Sequence, residues 1–129
     1  MRFLLDTCVF LWLMGDARKL SPALLGILGN PANERYLSAA SVWEVLLKWQ
    51  NGKLPLPKPP AEFFAESESK GQIHPLALHD ACVLQLVKLP KLHSDPFDRI
   101  LICQAIEHGL TIVTPDALIQ QYPIKTLWI

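Results

Sequence analysis

The chain has little of several things that would settle a function class at once. Its three cysteines, Cys8, Cys82 and Cys103, form no C-x-x-C pair and no even-numbered framework. All three sit among apolar neighbours, so they read as reduced core thiols in a reducing compartment. Excess charge of either sign is absent: twelve basic residues balance twelve acidic ones. No global basic field therefore advertises a nucleic-acid partner, and RNA or DNA binding would need a local basic face or a bound cation. Long apolar runs are missing too. The opening "MRFLLDTCVFLWLMGD" imitates a signal peptide, but Asp6 interrupts it and no small-residue cleavage site follows cleanly. Nothing approaches the length needed to span a bilayer. The expectation is a soluble cytoplasmic protein without a membrane partner.

What remains is a globular composition. Half of the 129 residues are hydrophobic and 19% are charged, which suits one domain, residues 1–129, with one real core. There are no repeats and no low-complexity segments. "RFLLD" (2–6) reads as a buried strand, followed by a helix fading near Gly15. Ser21 and Pro22 open a short helix over 21–30. "RYLSA" (35–39) is a second strand, and "SVWEVLLKWQNG" (41–52) an amphipathic helix. "KLPLPKPP" is a connector that excludes a helix interior. Helices follow over 61–71 and 77–89, with a short strand at 72–76 between them. "DPFDRILICQAIEHG" (95–109) carries the strongest helix signals, Pro at its start and Gly at its end. "LTIVT" (110–114) is a β-branched strand, "PDALIQQY" a turn or two of helix, and "IKTLWI" a final strand. Strands alternating with helices, and strands with nearly unbroken apolar runs, predict an α/β fold with a central parallel sheet flanked by helices in three layers.

The acids carry the functional argument. Asp6 ends the first strand. Glu44 falls at the third helical position if Ser41 is the N-cap, which makes a capping box. Asp98 occupies the same position if Asp95 is the N-cap and Pro96 opens the helix. Asp116 is second if Thr114 is the N-cap. Each acid alone is explained by the positive end of a helix dipole, worth about 0.3–1 kcal/mol. Capping does not require the acids to meet. A doubly wound sheet brings Asp6, Glu44 and Asp116 to one edge, beyond the carboxyl ends of the strands, and Asp98 joins them if its helix begins at that edge and runs back beneath the sheet. Four converging carboxylates repel, and a hard divalent cation such as Mg²⁺ or Mn²⁺ removes the conflict. One or two such ions suit hydrolysis of a phosphodiester. Thr7 and Thr114 could orient a carboxylate or serve only as caps and strand residues.

"LLDTCVFLW", "SAASVWEVLLKWQNGKLPLP", "LPKLHSDPFDRILICQA" and "LTIVTPD" resemble PIN-domain proteins, in particular VapC-type ribonuclease toxins of bacterial toxin–antitoxin pairs. The resemblance runs in order along essentially the whole chain, and "HxDPFDR" and "SxWE" are its most specific parts. It implies a parallel sheet sandwiched by helices and a metal-dependent endoribonuclease using Mg²⁺ or Mn²⁺. Its acids carry over to Asp6, Glu44, Asp98 and Asp116, with Asp95 capping a helix and only lining the site. It also implies an RNA substrate, a cognate antitoxin and a homodimer. Two rivals stand beside it: a catalytically silent RNA- or antitoxin-binding module, and a Mg²⁺-dependent phosphohydrolase of small phosphate esters. "DTC" rather than D-x-D after the first strand disfavours an aspartyl-phosphate route in the latter.

Several other residues have two readings each. Arg99 would contact a phosphate or steady the carboxylates, or else pair with Glu107 or Asp95. Lys48, four residues after Glu44, is a simple helix pair or an RNA contact. Lys53 is a loop residue able to meet a phosphate. His93 could move a proton or hold a structural hydrogen bond, whereas His74, His79 and His108 show no ligand spacing. Trp12 and Trp43 read as core or interface residues, and Trp49 as a partner contact.

Overall fold

A computed structural model describes residues 1–129. Five strands, β1 (Arg2–Leu5), β2 (Glu34–Ser38), β3 (Ile73–Leu76), β4 (Thr111–Val113) and β5 (Thr126–Leu127), form one sheet in the order β3-β2-β1-β4-β5. Every neighbouring pair is parallel. Seven α-helices connect and cover them: α1 (Thr7–Gly15), α2 (Pro22–Leu28), α3 (Ala39–Gln50), α4 (Pro60–Ser69), α5 (Asp80–Leu84), α6 (Pro96–His108) and α7 (Ala117–Gln120). The expected three-layer α/β sandwich is the observed one. No helix is long and apolar enough to cross a membrane.

The alternation of β1 divides the core. Phe3 and Leu5 point to one face and pack with Val9, Phe10, Leu24, Leu28 and Phe63 from α1, α2 and α4. Leu4 points to the other face and packs with Leu101, Ile102, Ala105, Ile112 and Ile119, mainly from α6, β4 and α7. Burying both faces is what a parallel sheet requires. Pro75, which donates no backbone hydrogen bond, sits in edge strand β3. The strand order reverses between β1 and β4, so a crevice opens beyond their carboxyl ends.

Several local expectations change. Helix α3 begins earlier than position 41. Ser38, the last residue of β2, is its N-cap, and the Ser38 hydroxyl accepts from the Ala40 amide at 3.0 Å. Ala39 and Ala40 are strong helix formers and let the helix start directly off the strand. Ser41 is therefore helical, and Glu44 lies in the second turn rather than in a capping box. At α7 the cap is Asp116 itself, not Thr114. The helix expected over 77–89 shrinks to α5 and a 3₁₀ turn at Gln85–Val87, and residues 77–79 are irregular. The final strand contracts to Thr126–Leu127, and a 3₁₀ turn at Ala17–Lys19 was not anticipated. Cys82 and Cys103 are buried as expected, while Cys8 is half-buried. Trp43 is 60% exposed and meets Phe97 edge-on at 5.1 Å, so it is not a core residue. Trp12 is half-buried against Trp128.

Candidate metal centre

The β1–β4 register builds the first half of the site. Leu5 pairs with Val113, and the Asp6 amide extends the ladder by one bond to the Val113 carbonyl at 3.0 Å. The next side chains on the two strands then meet. The Thr114 hydroxyl donates to Asp6 Oδ2 at 2.6 Å and accepts from the Asp116 amide at 3.0 Å. Thr114 is fully buried, so this hydroxyl is a fixed link between two acids. Asp6 is the N-cap residue of α1, but its carboxylate makes no capping bond and stays turned to the crevice.

Helix α3 brings the third acid. Thr7 Oγ1 lies 2.8 Å from Glu44 Oε1 and 2.9 Å from Ser41 Oγ, both from the first two turns of α3. Lys48 meets Glu44 Oε2 at 3.0 Å, which is the i,i+4 pair of the simpler reading. Ser41 thus has a role no cap assignment would suggest, joining the helix to Thr7.

Helix α6 brings the fourth. Asp95 Oδ1 accepts from the Phe97 amide at 2.9 Å and from the Asp98 amide at 3.4 Å, so Asp95 caps the helix. Asp98 is free of that duty. Its Oδ2 lies 3.0 Å from His93 Nε2, and Asp116 Oδ2 lies 3.0 Å from the same nitrogen. These three ligand atoms all fall within 4.8 Å of one another. Asp6 and Glu44 stand outside that trio; Asp6 joins it through Thr114, and Glu44 is held beside it by Thr7. His93 Nδ1 accepts from the Asp95 amide at 3.1 Å, which leaves the ring proton on Nε2, facing the two carboxylates.

The electrostatics differ among the acids. Burial, then the charges of Asp6 and Asp95, push Asp98 up to about 7 against a partial opposing effect of His93. Burial also raises Asp6, with Glu44 and Asp116 adding to it and the Thr114 hydroxyl opposing. For Asp116, burial raises the carboxyl, but hydrogen bonds from His93 and the Ile119 and Leu118 amides outweigh it and hold it below the usual value. No lysine or arginine pairs with Asp6, Asp98 or Asp116; Lys48 is committed to Glu44. The donor set is all oxygen plus one imidazole, and its like charges are unbalanced. That composition fits a hard divalent cation. Asp6, Asp98 and Asp116 could hold it, with Glu44 beside them. Burial and Asp6 push the Cys8 thiol up to about 12, which removes it as a nucleophile.

Of the basic candidates, Arg99 is turned inward. Its guanidinium donates to the carbonyls of Pro90 at 3.1 Å, His93 at 3.4 Å and Leu86 at 3.4 Å. It pairs with neither Glu107 nor Asp95, and it steadies the chain segment that carries His93. Lys53 is exposed beyond the end of α3. An open groove of about 370 Å³, lined by Lys91, Leu92, His93, Ser94, Arg99 and Leu118, adjoins the acids through His93. Sequence reasoning left His93 open between two roles and did not consider Ser41 as a site residue. The only local signal for His93 is its place two residues before the α6 cap.

The PIN domain family profile matches residues 3–125. Among solved structures, the chain is similar to VapBC2 from Rickettsia felis bound to a DNA fragment from their promoter. There the TM-score is 0.74 at 15% identity, covering 98% of both chains. DNA-bound VapBC from Salmonella typhimurium gives 0.70 at 15% identity, over 98% of this chain and 97% of that one. VapBC-1 from nontypeable Haemophilus influenzae gives 0.67 at 15% identity, with the same coverage. At that identity the likeness is one of fold. No curated protein sequence matches the chain.

Proposed function

The chain belongs to the PIN domain family, and from that premise we propose that it is a divalent-metal-dependent endoribonuclease, the toxin of a toxin–antitoxin pair. The observation that carries the reading is Asp98. A buried carboxyl raised to about 7 among Asp6, Asp95 and Glu44, with no lysine or arginine partner, is an electrostatic conflict that a cation would relieve. Asp6, Asp98 and Asp116 are the residues that would hold Mg²⁺ or Mn²⁺. A bound ion would supply a water of lowered pKa and stabilise charge developing on the phosphodiester. The chain's own residues do the rest. Asp98 gives up its proton before it can bind a cation. The Thr114 hydroxyl orients Asp6, and Thr7 with Lys48 orients Glu44. Lys53, exposed beyond the end of α3, and Lys91, in the groove beside His93, are basic residues placed to meet RNA phosphates, whereas Lys48 is committed to Glu44 and Arg99 is occupied by carbonyls. The fold's likeness to VapBC assemblies supports a cognate antitoxin as partner. A homodimer belongs to the same proposal and is read by sedimentation.

The test is cleavage of structured RNAs, transfer RNAs included, by the full antitoxin-free chain with Mg²⁺, Mn²⁺ or chelator, beside Asp6→Asn. Cuts that need metal and vanish in a folded Asp6→Asn variant are expected. Full cleavage by that variant, or in chelator, overturns the assignment. Binding of RNA without turnover would make the chain a silent binding module instead.

A further inference from the structure

We propose that His93 is a positioning residue whose Nε2 proton is donated to Asp116 with Asp98 in contact beside it, presetting both acids for the cation without ligating it. The inference rests on the metal-dependent reading above. Three features support it. First, the ring is buried, 9% exposed, and its Nε2 lies 3.0 Å from both Asp98 Oδ2 and Asp116 Oδ2. Second, the Asp95 amide donates to Nδ1 at 3.1 Å. A metal on Nε2 would need the ring proton on Nδ1, where it would oppose that amide proton. The tautomer therefore makes Nε2 a donor and not a ligand.

Third, the backbone carrying the ring is lashed down from two directions. The Tyr122 hydroxyl accepts from the amides of Leu92 at 3.1 Å and His93 at 2.9 Å, and donates to the Pro90 carbonyl at 2.7 Å. Arg99 holds the carbonyls of Pro90 and His93 from the other side. Tyr122 is itself buried in the core under α7. Neither Tyr122 nor Arg99 reaches a carboxylate, so both act on the site only through the place of His93. A hydrogen bond to a ligating carboxylate limits its rotation and fixes which lone pairs remain for the ion. Loss of such a partner typically costs about 10–100-fold in metal affinity.

The test uses two substitutions that separate the ring's two edges. Asparagine places an acceptor near the Nδ1 position and keeps the Asp95 bond, but it has no donor at Nε2. Glutamine carries its amide nitrogen about as far from Cα as Nε2 and keeps the donor. Mn²⁺ and Mg²⁺ binding to the full chain is measured by calorimetry, with circular dichroism to verify the fold. Electron paramagnetic resonance of bound Mn²⁺ on ¹⁵N-histidine-labelled protein reports any nitrogen ligand. His93→Asn should lose about 10–100-fold in affinity, His93→Gln should stay close to the parent, and no nitrogen coupling should appear. Equal losses in two folded variants, no loss in His93→Asn, or nitrogen coupling from His93 would each overturn the proposal. A parent chain that binds neither ion would overturn the metal reading beneath it. A parent that binds while His93→Asn is unaffected sinks the positioning role alone.

Discussion

Two helix starts at this crevice solve one problem differently. At α6, capping and site chemistry are divided: Asp95 satisfies the orphan amides and Asp98 is left to the crevice. At α7 one residue does both. Asp116 Oδ1 accepts from the Leu118 and Ile119 amides at 2.7 and 3.1 Å, while Oδ2 faces His93. The two acids share one imidazole nitrogen yet shift in opposite directions. Backbone amides stabilise the charge of Asp116, whereas Asp98 has burial and three neighbouring acids against it. The histidine contributes to that difference, since it hydrogen-bonds Asp116 and opposes the shift of Asp98 only by its charge, and the α7 amides add to it.

The comparison can be broken most strongly at Asp98. Its folded value of about 7 lies above the ordinary 3.8. Between those values the folded chain keeps a proton that the unfolded chain has lost, so metal-free stability falls as pH rises through that window and levels off above it. Asp98→Asn should abolish metal-dependent cleavage, flatten that slope, and stabilise the metal-free chain at pH 8 by about 1–2 kcal/mol. Thermal melts of both chains between pH 5 and 8 check this, and parallel slopes would count against it.

A smaller effect separates the two caps. Asp116→Ala should cost about 1 kcal/mol of stability and all cleavage, because both oxygens are used. Asp116→Asn keeps a capping oxygen, so it should lose the cleavage and little of the stability. Asp95→Ala should cost about 1 kcal/mol as well, with part of the cleavage retained. Urea midpoints beside cleavage rates for the three variants check this, and an Asp116→Asn as unstable as Asp116→Ala would merge the two roles. The smallest change expected is at Lys48→Ala. Lys48 is half-exposed over a buried Glu44 that keeps its Thr7 bond, and an i,i+4 helix pair contributes about 0.3–0.5 kcal/mol, so the melt should move little while cleavage weakens and loses part of its salt dependence.

Much of this was legible without coordinates. Apolar runs at 2–5 and 111–113 announced buried strands. Asp95-Pro96 announced the start of α6, because Pro suits the first helical position and Asp its cap. The α3 start was misread since Ser41 has the right chemistry for a cap. Nothing local says that Ser38, at the end of a strand, takes that role and frees Ser41 to face Thr7. The helix expected over 77–89 was misread for a similar reason: its periodic apolar residues do not all have a surface to pack on, and Leu84 and Val87 stay exposed.

By itself the sequence determined the alternation of strand and helix, the two-faced burial of the sheet and the place of Asp6, Asp98 and Asp116 at element boundaries. These depend on side-chain period, caps and breakers, which act over a few residues. Only the tertiary structure decided that Thr114 would join Asp6 to Asp116, that Arg99 would turn inward to three carbonyls, and that His93 would bridge the starts of α6 and α7. The decisive ones link separate elements: Thr114 and Asp6 lie 108 positions apart, and His93 and Asp116 lie 23 apart. The first exists because the parallel register of β1 and β4 brings distant segments side by side, a relation that no local pattern encodes.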